Sequence, residues 1–576
     1  MMKSTPLFTS LFVLLLPVLV FAQDGQGGNQ GSLLPEINPQ DIEIRSEFQA
    51  SFPGLRRQPI LGFNPKPRVY QVDPNRMPFM ESREDAVADI SITQLGRPEP
   101  PTRSLLSYPA RTNGYLRAGF GSYITPMIEA YGYHAFNENR GLTGNLNVRS
   151  SEGHLSDDQG GFRYMDFNAR YFEKINEKWR FSVDVKAQAD QNFMFYPENT
   201  APGFNETPEK EYLGAYGKMT VQKINNAFSG MKYSLGGSIF DTELTAKSAS
   251  VPLRALSGEL NEKAYFAGFK IYWPGNRQYE TFDVSGGIKG GTYDLSSAPN
   301  EDWMLLNADF TYERLFNFTT RVNGKAGVAY VSDAFSDKVY FSPEVEITHY
   351  LAQGLQLQGR AYATPEVQSV QDYHEFNRFL NTNTQLRHTY TLGAEAEAQF
   401  QLIEGNRIFG GVRYQHAQNF AYYQRDSILS GIRFNTFYDV NYGDANIFEL
   451  YAGASHQLVP NKFWADAKVY ARSPKLSSGG NIPYEERLGL EAGVSFRPVK
   501  ELTINSWAEY IGKRRAPAEN GDLDAFFLLS AGAEYQINDT FGVFGKMLNI
   551  LDNEYAVWSG YPERPLQIFG GLTVKF

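Results

Sequence analysis

Cysteine is absent from all 576 residues, which excludes a disulfide framework, a thiolate metal site and a lipidated anchor. Basic charge is in deficit: 54 Lys and Arg stand against 64 Asp and Glu, for a formal charge of −10. That balance excludes a nucleic-acid partner, which requires clustered cations. Beyond residue 22 no run of roughly 18 apolar residues occurs, so a membrane-crossing helix is excluded there. The seven histidines, at 134, 154, 349, 374, 388, 416 and 456, are scattered. No G-x-S-x-G elbow, P-loop, H-E-x-x-H pair or D-x-D-x-D-G calcium loop is present. The sequence therefore reads as a non-enzyme for which neither cofactor nor metal is expected.

What the chain has in quantity is aromatic residues, 14% of the total, with 42 Phe and 35 Tyr. These residues suit strands and membrane interfaces. The first 22 residues form a secretory signal: Lys3 supplies the charged start, Leu7 to Phe21 the apolar stretch, and Ala22 the small residue before the cut. An exported chain without a spanning helix can still cross a bilayer as strands. In lipid every backbone polar group must then pair strand to strand, with apolar side chains outward and polar ones inward.

Residues 113–576 show that period-2 pattern repeatedly. In Trp179–Asp190 one face carries Trp179, Phe181, Val183 and Val185 and the other Arg180, Ser182, Asp184 and Lys186. Leu386–Leu402 sets His388, Tyr390, Leu392, Ala394 and Phe400 against Arg387, Thr389, Glu395, Glu397 and Gln401. Alternation over 10 to 17 residues exceeds the ~5–6 residues of an average soluble strand. Ten short turns are legible: 137–141, 175–178, 225–230, 274–277, 314–317, 351–354, 404–406, 459–461, 498–501 and 537–540. Most carry Asn, Gly, Asp or Pro, the residues tight turns need. Longer connections alternate with them, among them 193–210, 245–260, 364–385, 420–444 and 551–565. Ten inner turns and eleven outer loops give an all-β, outer-membrane-type antiparallel β-barrel of about 22 strands. A 24-strand count stays open, because Arg433–Val440 also alternates.

The C-terminal 50 residues carry a further pattern. LLSAGAEY at 528–535 is followed by FGVFGKMLNILDNEY at 541–555, by Tyr561-Pro562, and by FGGLTVKF closing at Phe576. This resembles the last three strands of TonB-dependent receptors, in which N-L-x-D-x-x-Y ends the penultimate strand and a Tyr-Pro loop precedes a closing strand with terminal Phe. The matching positions are Asn549, Asp552, Tyr555, Tyr561, Pro562 and Phe576. The resemblance implies a 22-strand barrel engaged in uptake of scarce ligands such as metal chelates, vitamins or glycans, powered from the inner membrane. It also implies a folded plug ahead of the barrel.

Residues 23–112 depart from that plug. Twelve of the chain's 30 prolines fall there, and residues 25–31 are rich in Gly, Gln and Asn. The segment reads as an irregular, Pro-rich periplasmic or lumenal stretch. Its apolar anchors Phe48, Phe52, Leu55, Phe63, Tyr70 and Phe79, with Arg56 and Arg57 among them, are expected to dock inside the lumen or on a partner, since a purely disordered tail is poorer in apolar residues. The expected partners are outer-membrane lipid, the barrel-assembly machinery acting on the C-terminal strand, and outer-membrane proteins or lipoproteins. Two functions stay open at this point. One is a receptor-like barrel for ligand uptake or transport across the outer membrane. The other is a plugless barrel serving as a structural or accessory subunit of an outer-membrane complex for secretion, barrel assembly or surface display.

Overall fold

The computed structural model describes residues 114–576, apart from 156–158, 196–206, 227–228, 246–257, 278, 296–299, 318, 353, 404–405, 426, 430–431, 435–436, 460–461 and 517–520. The signal peptide, the Pro-rich segment and its anchors from Phe48 to Phe79 all lie outside the described residues.

Twenty-two strands form one closed antiparallel barrel. They are β1 (Gly114–Gly121), β2 (Thr125–Asn137), β3 (Arg140–Ser151), β4 (Phe162–Lys174), β5 (Trp179–Phe193), β6 (Glu209–Asn226), β7 (Ser229–Thr245) and β8 (Gly258–Pro274). Next come β9 (Glu280–Leu295), β10 (Glu301–Phe316), β11 (Thr320–Asp333), β12 (Ser336–Phe341 continued by Glu344–Ala352), β13 (Leu355–Glu366), β14 (Thr389–Ile403) and β15 (Asn406–Gln424). The circle is completed by β16 (Asp439–Val459), β17 (Phe463–Leu476), β18 (Leu488–Val499), β19 (Leu502–Ile511), β20 (Phe526–Gln536), β21 (Phe541–Leu548) and β22 (Gln567–Lys575). Each strand pairs with its sequence neighbour, and β22 pairs with β1 from Lys575 opposite Tyr115 to Phe569 opposite Gly121. The two pieces of β12 count as one strand because both pair with β11, the outer piece with Val328–Asp333 and the inner with Thr320–Lys325. The break falls at Ser342-Pro343, where proline has no N–H to give.

All ten short turns separate the strands expected, and Arg433–Val440 adds no wall strands. Within its loop a small hairpin pairs Ser427–Leu429 with Ile432–Phe434, and β16 begins at Asp439. Two boundaries differ from the sequence reading. The wall runs on through 420–424 and 439–444, so that outer loop is shorter. The strand expected from Leu386 starts at Thr389, because Leu386 and His388 are drawn inward and fully buried.

The wall obeys the expected alternation. Leu116, Ile128, Val185, Leu235, Phe310, Leu450 and Leu572 face outward and exposed. Phe136, Trp273, Tyr350, Tyr535 and Phe541 ring the end that carries the short turns, the place of an interfacial aromatic girdle. Inward-facing charges neutralise one another. Arg170 pairs with Asp184, Arg413 with Glu395 at 3.3 Å and Glu449 at 3.4 Å, Arg407 with Glu397 at 3.3 Å, and Arg360 with Glu344 at 2.6 Å. A large apolar core lies in the outer half of the barrel, where loops fold into the mouth.

Candidate functional site

The loop from β13 to β14 enters the lumen. It holds one short helix, α1 (Val370–Phe376), started by a capping box: the Ser369 hydroxyl accepts from the Asp372 N–H at 3.1 Å, and the Asp372 carboxylate accepts from the Ser369 N–H at 2.8 Å. The loop presents two unlike faces.

One face is polar and docks on inward side chains of β6 to β12. Lys210, fully buried, donates to the carbonyls of Arg378 at 3.0 Å and Leu380 at 2.9 Å and to His374 Nδ1 at 2.7 Å. Glu262 accepts from the Gln371 N–H at 3.1 Å and from the Trp303 indole at 2.9 Å. The Tyr293 hydroxyl accepts from the Leu386 N–H at 3.1 Å. Asp333 accepts from the His388 N–H at 2.7 Å and contacts its ring, whose other nitrogen meets the Tyr340 hydroxyl at 2.6 Å. Burial and the Lys210 ammonium hold the His374 pKa well below the ordinary histidine value, so its ring is neutral. Burial pushes Glu375 up to about 7.

The other face is aromatic. Phe379 stacks on Tyr561 with ring centres 3.5 Å apart. Phe376 meets Tyr423 at 5.3 Å and Trp558 at 6.0 Å, and Trp558 lies 5.1 Å from both Tyr438 and Tyr484. Four further outer loops contribute to this cluster. The β21–β22 loop, which supplies Trp558 and Tyr561, is tied down by three arginines. Arg514 donates to the carbonyls of Val557 at 2.9 Å and Ala556 at 2.6 Å. Arg425 reaches the Ser559 hydroxyl at 3.3 Å. Arg564 donates to the carbonyls of Glu152 at 2.9 Å and Gly160 at 2.7 Å and lies over the rings of Tyr123 and Phe162. Gly560 has φ +81°, where an L side chain is strained, and a Cβ there would displace the Arg425 guanidinium.

The C-terminal motif divides between two places. Asn549 and Asp552 are turn residues with φ +49° and +54°. The Asn549 amide accepts from Asn553 N–H at 3.1 Å and donates to its carbonyl at 2.8 Å, while Asp552 accepts from the Leu566 N–H at 2.7 Å. This turn aims Tyr555 at Phe526, 4.7 Å away, and Tyr561 into the cap. Pro562 is exposed beside it. Phe576 is at the opposite end of the wall, exchanging backbone bonds with Gly114 at 2.9 and 3.0 Å.

Sequence reasoning missed the docking groups Lys210, Glu262, Asp333 and Arg564, since single charges on alternating strands carry no sign of what they meet. The Ser369-x-x-Asp372 box was the one local signal of an ordered loop. Phe420 and Tyr423 are buried in the cap. His154 makes ring contacts with Tyr123 at 6.2 Å and Phe195 at 5.6 Å. Among the described residues no group of His, Cys, Asp and Glu is placed to hold a metal ion.

No protein-family model matches the sequence, and no curated protein is similar to it. Solved structures are. The ferric-catecholate import receptor Fiu of E. coli superimposes with a TM-score of 0.62 at 10% identity, over 83% of this chain and 82% of that one. The barrel has the fold of the TonB-dependent receptors. The ferric enterobactin receptor PfeA of Pseudomonas aeruginosa gives 0.63 at 10% identity over 82% of each chain. The FrpB iron transporter of Neisseria meningitidis gives 0.62 at 10% identity over 80% and 81%. With this fold, the lipid-facing wall and the aromatic girdle, the chain is an outer-membrane barrel.

Proposed function

We propose that this chain is a transport barrel of the outer membrane whose outer gate is the 367–388 loop, and that it admits a ligand when that loop leaves the mouth. The observation that carries the reading is how the loop is held. No strand of the wall includes it. It is seated by side-chain hydrogen bonds from Lys210, Glu262, Tyr293 and Asp333, by ring contacts, and by two backbone bonds that Phe379 and Asn381 exchange with Tyr438 in the neighbouring outer loop. Such contacts are individually modest, of order 1 kcal/mol each, and can be exchanged for others without disturbing the backbone ladder. Beneath it the lumen is lined with paired charges, a surface that accepts water. Likeness to import receptors for ferric chelates supports an uptake role and leaves the ligand open.

The cap's burial also supports the second reading, a sealed barrel acting as a subunit of an outer-membrane assembly. Planar-bilayer conductance of the purified protein separates them. A gate predicts that replacing residues 370–385 by a short Gly-Ser linker turns a closed barrel into a large open pore, and that a disulfide engineered between the loop and β6 abolishes uptake reversibly. If the locked protein supports every cellular function of the native one, the transport reading falls.

A further inference from the structure

One unpaired edge of the wall carries exposed apolar residues. The outer piece of β12, Ser336–Phe341, pairs with β11 on one side only. On the other side β13 and β14 should cover it, but the chain leaves the wall at Glu366 to enter the lumen and returns at Thr389. In an antiparallel ladder, successive residues direct their N–H and C=O to alternate sides. Ser342 donates to Gly327 on β11 at 2.7 Å, which assigns 336, 338 and 340 to that side as well. Asp337, Val339 and Phe341 therefore direct theirs to the open side, and the one partner there is the Tyr390 hydroxyl, donating to the Phe341 carbonyl at 2.9 Å. Among the described residues no strand pairs with this edge. The side chains agree. Val339, 68% exposed, is the most exposed large apolar residue among the described residues.

Its height on the wall matters. Glu344–Ala352 supplies nine residues inward of the break, and a tilted strand of about 9–11 residues crosses the bilayer. Ser336–Phe341 thus stands at and beyond the outer interface, where water meets the edge. An unpaired edge with exposed apolar residues is a template for another strand.

We infer that this edge receives an extended segment of a second protein by strand addition. The charges specify its character. Lys338 on the edge, and Arg387, whose guanidinium lies over the Phe335 ring at 5.3 Å at the edge's outer end, have no carboxylate within ion-pair distance among the described residues. With the exposed Asp337 carboxylate counted against them, the edge keeps one cation in excess, which in a chain of net charge −10 favours an acidic segment. Val339 and Phe341 select apolar side chains on its outer face. The occupant is a strand of alternating apolar and acidic residues carried by a surface-exposed outer-membrane protein or lipoprotein.

The test places a photo-crosslinking p-benzoylphenylalanine at Val339 in the full-length protein in native membranes, with the same probe at outward-facing Leu450 as control. The crosslinked peptide is sequenced and then synthesised for binding to the purified barrel. The expected result is one heterologous acidic–apolar peptide crosslinked at 339 and not at 450. Val339→Pro, which removes an open-side N–H and no bond to β11, and Lys338→Glu should each weaken binding of that synthetic peptide at least about tenfold. Unchanged heat-modifiable mobility of both variants shows the barrel folded. Crosslinks only to lipid, to a second copy of this chain or to its own residues 23–112, or a peptide whose binding ignores both variants, would overturn the inference.

Discussion

The inner and outer halves of this barrel are built on different physics. The inner half is a wall of backbone hydrogen bonds around charges that pair across the lumen. Its stability is distributed over every strand, and its interior is polar. The outer half adds to the same wall a core of rings and loops, with Phe376, Phe379, Trp558 and Tyr561 buried as they would be in a soluble protein. A single side chain matters little to the first arrangement and a great deal to the second. The two halves should therefore fail separately, with the cap opening while the wall stands.

Removing residues 370–385 tests that separation most severely. The wall should keep its heat-modifiable mobility while conductance rises from closed to a large pore; loss of barrel folding would show that the halves are one unit. Trp558→Ala comes next. It removes a ring touching Phe376, Tyr438 and Tyr484 and should destabilise the cap by about 3–5 kcal/mol, read as faster hydrogen exchange of α1 with wall exchange unchanged. Lys210→Met leaves the Arg378 and Leu380 carbonyls and His374 Nδ1 without their donor, and should weaken loop docking by about 2–3 kcal/mol in the same assay.

The smallest effect concerns pH, where two neighbours on α1 oppose each other. The His374 pKa is lower docked than free, so as pH falls through the ordinary histidine range the free loop takes up a proton that the docked loop refuses, and docking weakens. Glu375 has its docked pKa raised to about 7. As pH falls from there toward the ordinary carboxylate range the docked loop takes up the proton first, and docking strengthens. Lys210, Lys186, Asp166 and Asp372 complete this electrostatic setting. The native protein should show a shallow pH response between 7 and 5. Glu375→Gln should open on acidification and His374→Asn should close, by conductance. Parallel profiles in both variants would remove these residues from the account.

The division also explains what could be read from the chain. The wall was legible because burial in lipid imposes period 2 over whole strands and turns demand particular residues, so Trp179–Asp190 and the ten inner turns announced themselves. The cap was not. Lys210 and Glu262 look like any inward charge on an alternating strand, and nothing local says that a loop more than a hundred residues away will meet them. His388 even fits the alternation of β14, yet the Asp333 carboxylate takes it out of the wall. The C-terminal motif was found as a pattern; its physical content, a turn at Asn549 and Asp552 that throws Tyr561 onto Phe379, needed coordinates. The Pro-rich segment and its proposed docking remain a proposal of the sequence alone.

Arg564 reaches residues more than 400 positions earlier in the chain, at Ser151, Glu152 and Gly160. Contacts of such separation carry a large loop-closure cost until the two ends of the wall meet at β1 and β22. The cap is thus the last part to mature. A newborn barrel passes through a period with its mouth unsealed, and a chain in which residues 553–565 are replaced by a short linker, with β22 kept, should be arrested in that leaky youth.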